Sequence, residues 1–324
     1  MRQRVLILKL SSLGDIVHAL PVASSLRSAL PEAELAWAVG ERWLPLVEHH
    51  PALDRVIPIT GLSWWPARRF QPDITLDLQG NFKSSLLGLL SGARRRLGLA
   101  TPWLRERAAA WFYTRQVRPR SAHITGQLLE LAGDLAPAPD FPQFLLTIPA
   151  SVQAETRQWR ARQGTEAMAF LLPGGGWESK LWPAVRYREL AGALRRNQGL
   201  APVVNHGPQD ALFEQAGIPV FRGGLLPLAA MLQAARLVVG GDTGPLHLAA
   251  ALGTPALGLF GPTDPERNGP LGANVRILYK APPQASRNGR YMRGRETSPA
   301  LLAISVEEAH AACVELLAAA PSTA

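Results

Sequence analysis

The stretch LVVGGDTGPLHLAAALGTPALGLFGP, residues 237–262, decides how this chain folds. Leu237–Val239 reads as an apolar strand running into the turn Gly240-Gly241-Asp242-Thr243-Gly244. A helix begins at Pro245, and a second apolar strand follows at Ala256–Phe260. Such a turn sits at the carboxyl end of a strand and aims a helix N-terminus outward. Unpaired N–H groups and the positive end of the helix dipole make that place an anion site. Glycines let a phosphate approach the backbone closely. The expected ligand is a small molecule that bears phosphate.

The same alternation of strand and helix runs through the chain. Strands are expected at Val5–Leu8, Leu35–Val39, Val56–Ile57 and Ile74–Leu78, with helices from Asp15 to Leu30, after Gly80 and from His123 to Leu131. A proline-rich stretch, residues 136–149, cannot be helical. The pattern then restarts: a helix at Ser151–Arg162, strands at Ala167–Leu172, Pro202–Asn205 and Val275–Tyr279, and helices after Pro183 and near Leu228–Ala235. Ser305-Val306-Glu307-Glu308 reads as a capping box that opens the last helix. This is an α/β pattern of parallel sheets with ligands at the carboxyl ends of strands. With 324 residues, two domains are expected, 1–155 and 156–324, whose sheets face a central cleft. The closing helix is a candidate to return onto the first domain.

Composition narrows the class. Hydrophobic residues make up 47% and charged residues 18%, as in a soluble globular protein. No window approaches the roughly 20 apolar residues that span a bilayer. The run VLIL at 5–8, followed at once by Lys9 and Asp15, argues against a signal peptide. Cys313 is the single cysteine, so no intrachain disulfide or cysteine-based zinc site is expected, and a reducing cytoplasm is the default. Net charge is +9, and eleven Lys or Arg against three acids between Gly61 and Ile124 carry +8 of it. Leucines and the aromatics Trp103, Trp111, Phe112 and Tyr113 interleave with those cations. That mixture suits a membrane interface or an amphiphilic anion. No nucleic-acid recognition motif accompanies it.

Each half carries one distinctive loop after a strand. In the first it is KLSSLGDIVH, residues 9–18, which places Asp15 in the first turn of a helix. An acid there complements the dipole; the small, polar approach also leaves it at a cleft mouth. In the second half it is PGGGWESKLWP, residues 173–183, whose glycines can offer N–H groups to a diphosphate and whose Lys180 can supply a point charge. Asp242 can serve as a helix cap, and His247 lies on the first turn of the same helix. Neither GxGxxG nor GxxxxGK[ST] occurs, and no DxD pair or GxSxG elbow is present.

Together KLSSLGDIVHALP, DLQGNFKS, GGGWESKLWP and GGDTGPLHLAAALGTPALGLFGPTDP resemble glycosyltransferase family 9, the ADP-heptose:lipopolysaccharide heptosyltransferases. The match spans residues 5 to about 280, and the SSLGD, DLQG, FYTR and GPTDP segments are most similar to the heptosyltransferase I branch. The resemblance implies a GT-B fold of two Rossmann-like domains, with the acceptor on the first and the nucleotide sugar on the second. It implies inverting transfer from ADP-heptose to a Kdo residue of lipid A without a metal or other cofactor. Carried over, Asp15 is the general base and Lys180 contacts the phosphates or the sugar. Gly175, Gly176, Asp242, Thr243, Gly244 and His247 line the donor. Ser12, Gly14, Lys83, Arg115, Arg120 and His123 are candidate acceptor contacts. The implied partners are the ADP-sugar and an anionic Kdo-lipid A at the cytoplasmic face of the inner membrane, with peripheral attachment and no nucleic acid.

Two departures stand out. The region before the last helix lacks the cysteines many relatives carry and instead holds Arg287, Arg290, Arg293 and Arg295. Residues 174–176 are three glycines where heptosyltransferase I often has hydroxyls, which leaves only main-chain donors. The alternatives are a family 9 transferase like heptosyltransferase II, a GT-B-like nucleotide-sugar epimerase, and a non-catalytic basic binding protein.

Overall fold

A computed structural model describes residues 2–61, 63–281 and 296–319. The arginines at 287–295 lie outside the described residues. The chain divides into Met1–Thr147 and Ile148–Ala324. The expected boundary at 155/156 therefore comes too late. It would cut the helix Ala150–Gln163, which packs on the helix Leu225–Ala234 and sets Trp159 edge-on to Phe221 at 5.3 Å. Tertiary packing assigns that helix whole to the second unit.

The first unit is a six-stranded parallel sheet of β1 (Arg4–Leu8), β2 (Glu34–Gly40), β3 (Arg55–Ile59), β4 (Ile74–Asp77), β5 (Arg95–Leu99) and β6 (Arg115–Val117). Its order is β3-β2-β1-β4-β5-β6. The second unit holds β7 (Met168–Leu172), β8 (Ala201–Asn205), β9 (Val220–Phe221), β10 (Leu237–Gly241), β11 (Ala256–Phe260) and β12 (Val275–Tyr279), in the order β12-β11-β10-β7-β8-β9. Both units thus share one topology, the doubly wound order in which the first and fourth strands are neighbours. The connections leave those two strands in opposite directions, and a crevice opens between their carboxyl ends. In the first unit β1 and β4 flank that point; in the second, β7 and β10 do.

Strands β5, β6 and β9 were not expected. Arg95 and Arg96 open β5 as charged residues, so only Leu97–Leu99 carries the apolar signal. The central strands read cleanly because both faces are covered: β1, β7, β10 and β11 are buried almost throughout. One face of the first sheet packs Leu6, Leu8, Ala36, Ala38 and Ile57 against Ala67, Phe70 and Leu87 from the helices Trp65–Phe70 and Phe82–Leu90. The expected capping box is present, with Ser305 N donating to Glu308 Oε2 at 2.9 Å and Glu308 N donating to Ser305 Oγ at 3.1 Å. The helix it opens, Val306–Ala319, packs on the helix Ala184–Gln198 and on β11 and β12. It belongs to the second unit, where Ala309, Ala312, Cys313 and Leu316 complete the core.

His50 is buried in the first unit, with its Nδ1 accepting from Ala52 N at 3.2 Å. Burial pulls its imidazole down from 6.5 to about 4, against backbone hydrogen bonds that oppose the shift. The unfolded chain therefore binds this proton first as pH falls. The stability that neutral His50 contributes is complete above pH 6.5 and lost as pH falls through about 4. A gap of this size amounts to about 3 kcal/mol. Urea titrations at the two ends of that window should show the wild type losing about 3 kcal/mol more than His50→Gln. Parallel losses would remove His50 as the cause.

Candidate active site

At the switch point of the first unit, the loop after β1 is fixed on several sides. Lys9 N and Gly40 N donate to Ala38 O and Leu10 O, at 3.2 and 3.0 Å, and Trp37 Nε1 donates to Lys9 O at 3.1 Å. Gln79, from the loop after β4, accepts from Leu10 N at 3.0 Å and Ser11 N at 3.2 Å. Gly40 is required here, since a Cβ would lie 2.6 Å from Leu10 O. The helix Leu13–Ala29 then starts, with Ser12 at its N-cap and Gly14 and Asp15 in its first turn. Asp15 Oδ2 accepts from Ser12 N at 3.0 Å and from Ser12 Oγ at 2.9 Å. Its other oxygen lies 3.9 Å from Lys9 Nζ, and the side chain keeps 38% exposure. Burial alone would raise this carboxyl, but Lys9, the two Ser12 donors and Arg105 outweigh it and hold it below the ordinary range. Asp15 is thus a solvent-reachable carboxylate at neutral pH.

Beneath Asp15 lies a second carboxylate that the sequence reading did not single out. Asp77 ends β4, is 2% exposed, and accepts from Gln79 N, Gly80 N, Ser84 Oγ and Tyr113 Oη at 2.7–3.1 Å. Burial pushes its carboxyl up, against those four donors. Lys9 Nζ donates to Leu78 O at 2.8 Å, and burial pulls its ammonium down while Asp15 and Asp77 oppose that. Asp77, Gln79 and Tyr113 therefore support the Asp15 loop from below. Arg105 also escaped the sequence reading. Glu106 N donates to Gly80 O at 3.2 Å and Glu106 Oε2 accepts from Phe82 N at 2.9 Å, which ties the Arg105 segment to the loop after β4. The signal was present in DLQG, a charged and glycine-bearing end to an apolar strand like the one at 237–244.

The candidate acceptor residues divide. Lys83 is exposed on the first turn of the helix after β4. His123 caps the helix Ile124–Leu131, its Nδ1 accepting from Thr125 N at 3.1 Å, and its ring lies 5.3 Å from that of His18, one turn beyond Asp15. Arg120 lies in the loop leading to His123, its N–H donating to Glu130 Oε2 at 2.5 Å. Arg115 instead turns its guanidinium to Asp134, at 3.0 Å. The basic window is also less uniform than its sequence implies: Arg96 donates to Phe112 O and Ala93 O, at 2.6 and 2.8 Å, and so serves the fold.

The second unit repeats the arrangement with opposite charge. Gly240 and Gly241 end β10, and a Cβ on Gly241 would lie 2.8 Å from Lys180 O. That close approach lets the loop after β7 meet the loop after β10. There Lys180 Nζ donates to Asp242 Oδ2 at 2.6 Å, and His247 Nε2 lies 3.0 Å from Asp242 Oδ1. Lys180 Nζ also stands 5.1 Å from the Trp177 ring centroid. Burial would raise the Asp242 carboxyl, but His247 and Lys180 overcome it and hold it far below the ordinary range. Asp242 is not the helix cap; Thr243 holds that position for the helix Gly244–Ala251. Buried His247 reaches the site through Asp242.

Gly175 packs close, since its Cβ would meet Leu181 at 2.9 Å and Thr243 at 3.2 Å. Gly174 and Gly176 have open space where a Cβ would stand. Thr243 Oγ1 is buried without a hydrogen-bond partner among the described residues. Open glycine backbone, a helix N-terminus, a partnerless hydroxyl and a positioned lysine together form an anion cradle.

Two doubly wound units, one ending in a poised carboxylate and the other in an anion cradle, define the GT-B class of glycosyltransferase. The model of glycosyltransferase family 9 (heptosyltransferase) matches residues 67–292. Lipopolysaccharide heptosyltransferase 1 of Pseudomonas aeruginosa is 33% identical over 298 residues, 83% of this chain and 81% of its own length. The protein of that name in Salmonella typhimurium is 30% identical over 312 residues, covering 84% and 92%. The structure of E. coli heptosyltransferase WaaC with ADP superposes with a TM-score of 0.75 at 25% identity, over 97% of this chain and 100% of the other. The chain belongs to glycosyltransferase family 9 and is a glycosyltransferase.

Proposed function

We propose that this enzyme moves L-glycero-D-manno-heptose from ADP-heptose to a Kdo residue of the lipopolysaccharide inner core, with inversion at the anomeric carbon. The observation that carries the reading is Asp15, an ionised, solvent-reachable carboxylate at the switch point of the first unit. Relatives named lipopolysaccharide heptosyltransferase 1 support the sugar and the acceptor.

The acceptor hydroxyl attacks the anomeric carbon as the bond to ADP breaks. Asp15 takes the hydroxyl proton, and the electron pair of the breaking bond leaves with the diphosphate. Lys180, oriented by Asp242, and the N–H groups of 174–176 and 243–244 face the charge that grows on the leaving oxygen. In this reading those groups carry the electrostatic work without a resident cofactor. Ser12 orients Asp15, and Lys83, Arg105, Arg120 and His123 meet the anionic acceptor. A lipid-borne acceptor sets the reaction at the cytoplasmic face of the inner membrane, with the enzyme attached peripherally.

The test combines donor and product. ADP should raise the melting temperature more than UDP or GDP at equal concentration. ADP-heptose with Kdo-lipid A should give a product one heptose heavier by mass spectrometry. Stabilisation by UDP in preference to ADP, or sugar loss from the donor without the heavier product, overturns the assignment.

A further inference from the structure

The helices Trp65–Phe70 and Phe82–Leu90 cover one face of the first sheet, and their outer side is built unlike an ordinary solvated surface. Trp65 is 54% exposed, and Trp64 at the N-cap of the first helix and Leu89 and Leu90 at the end of the second are exposed as well. The Trp64 and Trp65 rings meet edge-on at 5.5 Å, and the Arg69 guanidinium lies 5.8 Å from the Trp65 ring centroid. Arg68 reaches across to Gly92, just past the end of the second helix. Arg68 thus joins the first helix to the turn that ends the second, and Arg94 and Arg95 are exposed just beyond that turn. No acid occurs between Arg55 and Gln71 or between Leu78 and Arg105. An open crevice of about 340 Å³ adjoins it, with Pro66, Phe70 and Ile57 between Arg55 and Arg69.

Exposed indoles prefer the level of lipid headgroups, where an apolar ring and a polar N–H are both satisfied. Arg55 is paired with Glu34 at 2.9 Å, but Arg68 and Arg69 have no acid partner among the described residues; such arginines seek phosphate, and leucines between them favour a surface with an apolar layer below over nucleic acid. The helix Trp65–Phe70 begins beyond the carboxyl end of β3, the same edge of the parallel sheet from which Asp15 projects.

We propose that the surface formed by Trp64, Trp65, Arg68, Arg69, Leu89 and Leu90 docks this enzyme on an anionic phospholipid bilayer. The inference deepens the reading of a lipid-borne acceptor and specifies the face that meets the membrane. Indoles sit at the headgroup level and the arginines pair with phosphates. Trp64 and Trp65 lie toward the sheet edge that carries Asp15, whereas Leu89, Leu90 and the Arg68–Gly92 contact lie toward the opposite edge, so the helical face lies along the bilayer with the sheet above it.

Co-sedimentation with phosphatidylethanolamine vesicles, with and without phosphatidylglycerol, tests it. The wild type should bind the anionic vesicles and lose binding as salt rises. Arg68→Ser/Arg69→Ser should weaken that binding by about thirtyfold, and Trp65→Ser should weaken it further. Arg195→Ser/Arg196→Ser, an exposed basic pair of the second unit, should bind as wild type. Transfer to a deacylated, water-soluble acceptor should keep its kcat/KM in every variant. Equal binding of wild type and the Arg68/Arg69 variant overturns the proposal, as does equal binding to both vesicle types. A raised KM for the soluble acceptor in the Arg68/Arg69 variant would instead place those arginines at the acceptor. Vesicle binding that follows the predicted pattern without any heptose transfer would sink the catalytic reading and leave the surface standing.

Discussion

Asp15→Asn should lower kcat for heptose transfer by roughly 10²–10⁴ while the affinity for ADP-heptose stays near wild type. The amide oxygen can still accept from Ser12 N and Ser12 Oγ, so the turn that opens the helix keeps its hydrogen bonds. What the substitution removes is the capacity to take a proton. Lys9, Ser12 and Arg105 hold the Asp15 carboxyl below its ordinary range, so it is already ionised at neutral pH and ready to take a proton. The kcat/KM profile should accordingly show no acid limb from this group until pH falls below the usual carboxylate range. Near-wild-type turnover by the Asn variant, measured with donor affinity unchanged, removes Asp15 from the proton transfer.

Lys180→Ala should cost both chemistry and stability. The Nζ lies 2.6 Å from Asp242 Oδ2, and both side chains are largely buried. Removing one partner of a buried pair costs about 3–5 kcal/mol, because the remaining charge stays desolvated. Losing one preorganised donor to the leaving group lowers kcat by roughly 10²–10³. The two effects separate in the double variant Lys180→Met/Asp242→Asn, which removes both charges of the pair and leaves the Asn oxygen able to meet His247. That variant should recover most of the stability in urea melts and none of the transfer rate. Recovery of both would make Lys180 a structural residue alone.

Much of this was legible in residue order. The strands β1, β7, β10 and β11 are continuous apolar runs closed by glycine or polar turns, and those turns carry Asp15, Lys180 and Asp242. The edge strands β5, β6 and β9 were not legible, because arginine openings or very short length dilute a period-two pattern. The domain boundary was misplaced by eight residues for a related reason. Local signals mark where the helix Ala150–Gln163 begins, but only its packing on Leu225–Ala234 says which unit owns it.

The opening turn at 240–244 shows the division most clearly. Its sequence alone predicts an anion site, since glycines at a strand end followed by a helix leave N–H groups free to face a ligand. What tertiary structure decided is how its charges are used. Asp242 reads in sequence as a helix cap or a donor contact, and the fold gives the cap to Thr243 and sets the two Asp242 oxygens against Lys180 and His247. Asp77 reads as one acid among the arginines, yet its strand order sets it beside β1, under the loop that carries Asp15. Backbone propensity and hydrophobic period act over a few residues, so sequence reports them directly. The pairing of residue 180 with 242, or of 77 with 113, depends on which strands become neighbours, and that is fixed only when the sheets assemble.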